Sequence, residues 1–392
     1  MPDIRVSPKG FTMHEFLKSA TTGNSPPTPD IIDNTFGRLL PRPIGLINID
    51  VSSRCNLKCV MCPLWSEQRT QSIHGGFMDF ALFETLLGKV MRGAPKASIS
   101  LTPRGELFCH PRAMDICRAV RKTQYPLSFI TNATLLTDEI IRELFTLETR
   151  EIRVSVDAAT PETYTAVRGS DKLHRVFHAI QTLSRMNAER PPETRINVIL
   201  NFVLQDLNAH EAEPFLQFWA PFVNRVAFLK WQTDVNSPLD SKAINKGFPA
   251  PARYPCISPW LHTYVDFEGN VYPCCADGFV TMDMGNLKEQ PLKDIWLGEP
   301  YMELRRALLK GDFSQHPTCA RCTNWNMSIR RNPIKQGGMN YLLTEDVYAF
   351  SLINEKPKSL VPMTMDGYIK RIGELMDASQ HTGAGLNFVN NP

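Results

Sequence analysis

Three cysteines crowd into eight residues, Cys55-Asn56-Leu57-Lys58-Cys59-Val60-Met61-Cys62, and thiolates are ligands of choice for soft metals. Their spacing within one short loop lets three sulfurs turn to one side and hold three corners of a 4Fe-4S cube, which four protein thiolates ordinarily complete. No fourth cysteine stands nearby. The remaining iron would then accept an exogenous ligand, by the logic that leaves catalytic zinc one free position. The competing reading is a zinc knuckle lacking its histidine, for His74, twelve residues beyond Cys62, is off the usual finger spacing.

Cys256, Cys274, Cys319 and Cys322 form a second set, separated by 17, 44 and 2 residues. Four thiols complete an iron-sulfur cluster, and they serve a structural zinc ion equally well. Cys275 adjoins Cys274 and does not easily ligate the same site. It is an alternative ligand, a thiol able to donate hydrogen, or, the preferred reading, a buried small hydrophobe. Cys109 carries the same ambiguity, and Cys117, on a helical pattern, reads as core. Ten cysteines in two groups with two outliers are not a disulfide framework.

The elements that must position these thiols follow from hydrophobic period. Apolar, β-branched-rich runs recur at 45–51, 97–102, 127–131, 151–156, 195–203 and 225–230, and helix-period segments follow most of them, at 79–91, 111–122, 137–146, 172–187 and 211–219. Thr137-Asp138-Glu139, Thr160-Pro161-Glu162, and Asn208 ahead of Pro214 mark helix starts. Such alternation implies an α/β fold with a parallel sheet, closed as a partial (β/α)6 TIM-like barrel with functional residues at the C-terminal strand ends. The first cysteine loop follows the first strand. After Trp231, residues 232–255 read as a linker, and a small β-hairpin and helix domain begins at Cys256, its turn at Gly269-Asn270. A helical pattern covers 291–310, Pro317 to Cys322 reads as a tight loop, and 330–392 show one helix at 366–377. The expected organisation is an N-terminal extension at 1–40, a barrel at 41–231, a linker and cysteine domain at 232–330 and a C-terminal extension at 331–392.

Composition narrows the class. With 43% hydrophobic and 21% charged residues, and 43 basic against 40 acidic side chains spread along 392 positions, the chain shows neither a basic block for nucleic acid nor an acidic tail. No apolar run approaches the roughly 18 residues that span a bilayer, and the N-terminus lacks the apolar centre of a secretory signal. A cytoplasmic protein with no nucleic acid and no membrane partner is expected.

The Cys-x3-Cys-x2-Cys loop after the first strand resembles that of the radical S-adenosylmethionine (SAM) superfamily, over about 45–330. The resemblance implies that the open iron chelates the amino and carboxylate groups of SAM, whose reductive cleavage gives a 5'-deoxyadenosyl radical; the cofactor pair carries the chemistry and the protein positions it. Met61 then stands where the family usually has an aromatic residue against adenine. Thr102-Pro103-Arg104-Gly105-Glu106-Leu107 resembles the family's Gly-Gly-Glu-Pro motif, with Gly105 and Glu106 retained to hold the SAM ammonium. Asn132 fits a Thr-Asn-Gly position in which Ala133 replaces glycine. Ser155 and Asp157 resemble ribose or carboxylate contacts, and Arg168 resembles the arginine that meets the SAM carboxylate.

Downstream, Pro255, Pro273, Trp260, Gly269, Gly285-Asn286-Leu287 and Ile295-Trp296 around the second cysteine set resemble the SPASM/twitch auxiliary-cluster region of the same superfamily. No cysteine follows Cys322, so the resemblance implies one fully ligated auxiliary 4Fe-4S cluster, of the aminocyclitol dehydrogenase or sugar epimerase type. Hydrogen abstraction from a small molecule (a sugar, aminocyclitol or other metabolite) is then the expected function, ending in oxidation, or in epimerisation with Cys275 or Cys109 as hydrogen donor. The reductant would be a flavodoxin or ferredoxin. The alternatives are a radical SAM peptide maturase, which usually brings two auxiliary clusters and a peptide-recognition module, and, outside enzymes, a zinc-binding interaction protein.

Overall fold

The computed structural model describes residues 43–62, 75–101, 104–230, 255–256, 258–277, 281–322, 334–336, 339–343, 347–352 and 357–381. The expected N-terminal extension, most of the linker, His74, Thr102 and Pro103 lie outside the described residues.

Six strands alternate with helices as the hydrophobic period requires. In chain order they are β1 (Leu46–Ile49), α1 (Phe80–Gly93), β2 (Ser98–Ser100), α2 (Ala113–Arg121), β3 (Ser128–Thr131) and α3 (Asp138–Thr146). Then come β4 (Glu151–Ser155), α4 (Pro161–Arg168), α5 (Leu173–Ala188), β5 (Asn197–Leu204), α6 (Ala212–Trp219) and β6 (Arg225–Lys230). Local chemistry sets the helix ends: Thr137 and Thr160 cap α3 and α4 by accepting from the third amide beyond, and Gly169 closes α4 in the left-handed region at φ 64°.

β1 to β6 run parallel in sequence order, with β2 and β3 joined among the described residues through the Leu101–Phe129 bridge. Alternate positions such as Ile47, Ile49, Ile152, Val154, Leu200, Phe202 and Phe228 enter one core with Phe83, Leu86, Val90, Ile141, Ile180 and Phe215 of the covering helices. The result is the partial barrel that the alternation implies.

The barrel's two open edges are both taken. β7 (His262–Val265), which follows α7 (Ser258–Leu261), pairs in parallel with β1, and β8 (Val271–Tyr272) returns antiparallel as the expected hairpin. The cysteine segment therefore continues the barrel's own sheet. At the other edge β11 (Val347–Leu352) pairs antiparallel with β6 and carries β10 (Met339–Leu343) and β9 (Ile334–Gln336) outward. These strands were not foreseen. An unpaired edge leaves backbone N–H and C=O groups unsatisfied, and both additions remove that deficit.

Three local readings are corrected. The pattern at 291–310 is two helices, α8 (Leu292–Leu297) and α9 (Glu299–Lys310), broken at Gly298, where a Cβ would lie 2.8 Å from the Asp294 carbonyl oxygen. The expected loop at 317–322 is a helical turn, α10 (Pro317–Arg321), because proline at the first helical position costs no hydrogen bond. The last helix, α11, runs over Met365–His381, and Tyr368 buries its ring against Phe177, Phe218 and Trp219. No helix among the described residues is long and apolar enough to cross a membrane.

Candidate active site

The loop carrying Cys55, Cys59 and Cys62 leaves the end of β1 and is fixed from three directions. On the β2 side, Gly105 and Glu106 donate their backbone amides to the Ser52 and Arg54 carbonyl oxygens, at 3.1 and 2.8 Å. A Cβ on Gly105 would stand 2.0 Å from the Arg54 oxygen, so the glycine permits the approach of these two loops. On the β3 side, the Asn56 amide donates to the Thr134 hydroxyl at 2.8 Å, and the Asn132 amide donates to Asn56 Oδ1 at 3.0 Å and to Cys55 Sγ at 3.8 Å. On the α4 side, Val60 N donates to Val167 O at 3.0 Å, and a Cβ on Gly169 would lie 2.7 Å from Lys58 O.

Charge is arranged behind this loop. Arg168, 6% exposed, donates to Cys59 Sγ at 3.3 Å and pairs with the buried Asp157 at 2.9 Å. Burial opposes its charge, but Asp157 and the Cys59 sulfur outweigh burial and raise its pKa further. Asp157 is in turn held by Val203 N at 2.7 Å, with its own backbone at φ 65°. Asp157 and Arg168, expected as ligand contacts, lie behind the loop as an ion pair with Arg168 donating to Cys59, and Asp157 Oδ2 and Arg168 Nη2 have no hydrogen-bond partner among the described residues. Ser155 is half-buried at the end of β4, opposite Asn201, and Met61 is half-buried beside Cys62.

Glu106 is 2% exposed and accepts from Thr131 Oγ1 at 2.6 Å, Asn132 N at 2.7 Å and Phe108 N at 3.3 Å. Burial raises its pKa against these bonds. Ala133, where the resembled motif has glycine, takes the left-handed φ of 61° that glycine takes without strain. Cys109 is half-buried, and its thiol donates to Asn56 Oδ1 at 3.8 Å, which places it at this loop. Cys117 is fully buried in the core.

The cysteines of the second set lie within electrostatic reach of one another. The charges of Cys319, Cys322 and Cys275 act on Cys256, whose thiol burial pushes up to about 12; burial likewise raises Cys274, on which Cys275, Cys256, Cys322 and Cys319 act. Cys55 is pushed to about 12 by burial, with Glu106, Cys59 and Cys62 adding to the rise. Cys275 is exposed, which corrects the buried reading: it lies in the turn beyond the end of β8. Tyr264 shares a hydrogen bond with it.

Two donor sets made wholly of thiols, largely desolvated, suit iron-sulfur clusters. Among the described residues, no three His, Cys, Asp or Glu side chains converge as ligands of one ion. A cube takes one thiolate per iron. A further sign of fit is the Tyr164 hydroxyl, buried without a hydrogen-bond partner among the described residues and close enough to Cys59 and Cys55 to feel their charge. The sequence reading missed Asn56, Thr134, Tyr164 and Gly169 as holders of the loop; Gly169 alone gave a signal, as the residue just past a helix end.

Comparison with known proteins bears on these sites. Residues 49–218 match the radical SAM superfamily, and residues 256–323 match the iron-sulfur cluster-binding SPASM domain. A tungsten-containing aldehyde ferredoxin oxidoreductase cofactor-modifying protein of Pyrococcus furiosus is 36% identical over 111 residues, which is 28% of this chain and 30% of that protein. The S-adenosyl-L-methionine-dependent 2-deoxy-scyllo-inosamine dehydrogenase of Niallia circulans is 25% identical over 290 residues, 71% of this chain and 93% of that protein. The crystal structure of BtrN in complex with AdoMet and 2-DOIA has the same fold, with a TM-score of 0.51 at 20% identity, covering 73% of this chain and 96% of that one.

Proposed function

We propose that this chain, a radical SAM enzyme with a SPASM-type cluster-binding domain, removes hydrogen from a small polar metabolite and completes its oxidation by two electrons. The observation that carries the reading is the pair of all-thiol sets, one of three on the loop after β1 and one of four whose Cys274 follows β8 of the same sheet. Cys55, Cys59 and Cys62 would hold one 4Fe-4S cluster, and Cys256, Cys274, Cys319 and Cys322 the other. When bound, the clusters and SAM supply one-electron chemistry: cleavage to a 5'-deoxyadenosyl radical, and a sink for the electron left on the substrate.

The chain's own residues orient this chemistry. Gly105, Asn132 and Gly169 hold the cysteine loop, Arg168 holds its positive charge against the Cys59 sulfur, and Glu106 retains acceptor capacity for the SAM ammonium after its three internal bonds. Met61, on the loop after β1, and Ser155, at the end of β4, would meet adenine and ribose. Full ligation by four cysteines leaves substrate no bond to the second cluster. The likeness to a 2-deoxy-scyllo-inosamine dehydrogenase over 71% of this chain supports an aminocyclitol or sugar. An external one-electron donor of the flavodoxin or ferredoxin kind completes the partners.

Epimerisation is a second reading, favoured by the exposure of Cys275 beside Tyr264. There the thiol returns a hydrogen atom to the substrate carbon, and an electron and a proton regenerate it. Anaerobic reconstitution tests both readings. About eight irons per chain, with 5'-deoxyadenosine formed from SAM and lost in Cys55→Ala, is the expected result. Incubation in deuterated buffer then separates the outcomes: a product lighter by two hydrogens is oxidation, while a product of unchanged oxidation state carrying one deuterium is epimerisation. Zinc in place of iron would sink the proposal.

A further inference from the structure

Arg104 occupies the position where the resembled motif has its first glycine, on the loop that carries Gly105 and Glu106. Its side chain reaches from the barrel into the second cysteine segment. Nε lies 3.1 Å from Asp50 Oδ2 and donates to the Tyr272 hydroxyl at 3.2 Å; Nη2 donates to the Asp277 carbonyl oxygen at 3.0 Å. The guanidinium sits 4.2 Å over the Tyr272 ring, and the Tyr272 hydroxyl donates in turn to Asp50. Asp50 follows β1 and Tyr272 ends β8, so the junction ties the two halves together.

This junction lies on a continuous polar track. Toward the first site, the neighbouring Gly105 and Glu106 amides bind Ser52 and Arg54, next to Cys55. Toward the second, Tyr272 lies two residues before Cys274; the Asp277 carboxylate accepts from Thr281 N and Oγ1 and from Met282 N, and the Thr281 hydroxyl meets that of Thr318, beside Cys319. Arg104 and Asp50 side chains are 13% and 4% exposed, and Tyr272 is buried. A planar guanidinium with fixed donors, stacked on a ring and paired where water is scarce, is a stiff connection.

We infer that Arg104 is a positioning residue that sets the separation and orientation of the four-cysteine site relative to the three-cysteine site. The inference rests on the reading that both sites hold clusters. Its consequence is mechanical: a substrate held between two redox sites reacts at a rate that falls steeply with misplacement, so a fixed spacing is itself part of the site.

The test uses the reconstituted holoprotein. In the double variant Arg104→Met/Asp50→Asn both charges leave together, so no carboxylate is left buried alone, while the reach to Asp277 is lost. The expected result is wild-type iron content, hydrogen exchange about tenfold faster over 271–287 and 317–322, and weaker or more dispersed magnetic coupling between the two reduced clusters. Arg104→Lys, which keeps the Asp50 pair with a single ammonium, should fall between. Coupling and exchange equal to wild type in the double variant would overturn the inference, and so would loss of iron from the second site. Failure of the cluster reading shows separately, in the iron count of the wild type.

Discussion

Gly105 and Arg54 meet backbone to backbone, close enough that a Cβ on Gly105 would lie 2.0 Å from the Arg54 carbonyl oxygen and 2.5 Å from its carbon. Atoms at that distance must move, and Arg54 directly precedes Cys55. Gly105→Ala is therefore expected to displace the first cysteine loop and spare the second. The variant should reconstitute with about four irons per chain and form no 5'-deoxyadenosine. Iron and sulfide analysis decides it, and full iron content would show that the contact relaxes harmlessly.

Arg168 and Asp157 form an ion pair buried at both ends, at 2.9 Å. Removing one partner leaves the other charge in a poorly solvated site, a change that costs about 3–5 kcal/mol. Arg168→Met should lose this much in urea unfolding of the cluster-free protein, and Arg168→Met/Asp157→Asn should recover part of it. Equal stability of the single variant and wild type would mean the pair contributes nothing.

Cys117 gives a prediction for alkaline pH. Burial pushes its thiol from 9.0 to about 12, so the fold favours the neutral form. Below pH 9 both folded and unfolded chains hold the proton and the full contribution is present. Above it the unfolded chain ionises first, and stability falls by about 1.4 kcal/mol per pH unit until the folded thiol also titrates. Cys117→Ala should flatten the alkaline limb of stability against pH by about that slope. Parallel limbs in variant and wild type would contradict it.

Tyr368 of α11 has its ring centroid 4.7 Å from that of Phe177 and 4.8 Å from that of Phe218, and the residue is 1% exposed. The C-terminal helix is thereby part of the barrel's packing against α6. Tyr368→Ala should cost about 3–5 kcal/mol, as loss of a buried aromatic ring does. Chemical denaturation measures this directly, and a cost below about 1 kcal/mol would show that the helix is dispensable to the fold.

Much of the scaffold was legible before any coordinates. The 3.6-residue period at 79–91, where Phe83, Leu86, Leu87 and Val90 are buried, announces α1, and Thr137 and Thr160 announce their helices because capping is a contact between near neighbours. The run Val347–Leu352 carries strand-forming residues too, yet it escaped notice because its partner, β6, lies more than a hundred residues away. Pairing across such a distance leaves no local period.

The candidate site divides in the same way. Cysteine type and spacing point to soft-metal chemistry, since a loop of eight residues can turn three thiols to one side whatever surrounds it. The meeting of Asp157 and Arg168 was not written locally: only the fold brings them to 2.9 Å, with Arg168 donating to Cys59. The exposure of Cys275 and the junction of Arg104 with Tyr272 likewise depend on β7 joining β1. By itself the sequence determined which atoms are available for chemistry and which segments become strands and helices, because these depend on residue type and near neighbours. Tertiary structure alone decided which charges face each other and how two distant thiol sets are held, because those follow from the packing of segments remote in the chain.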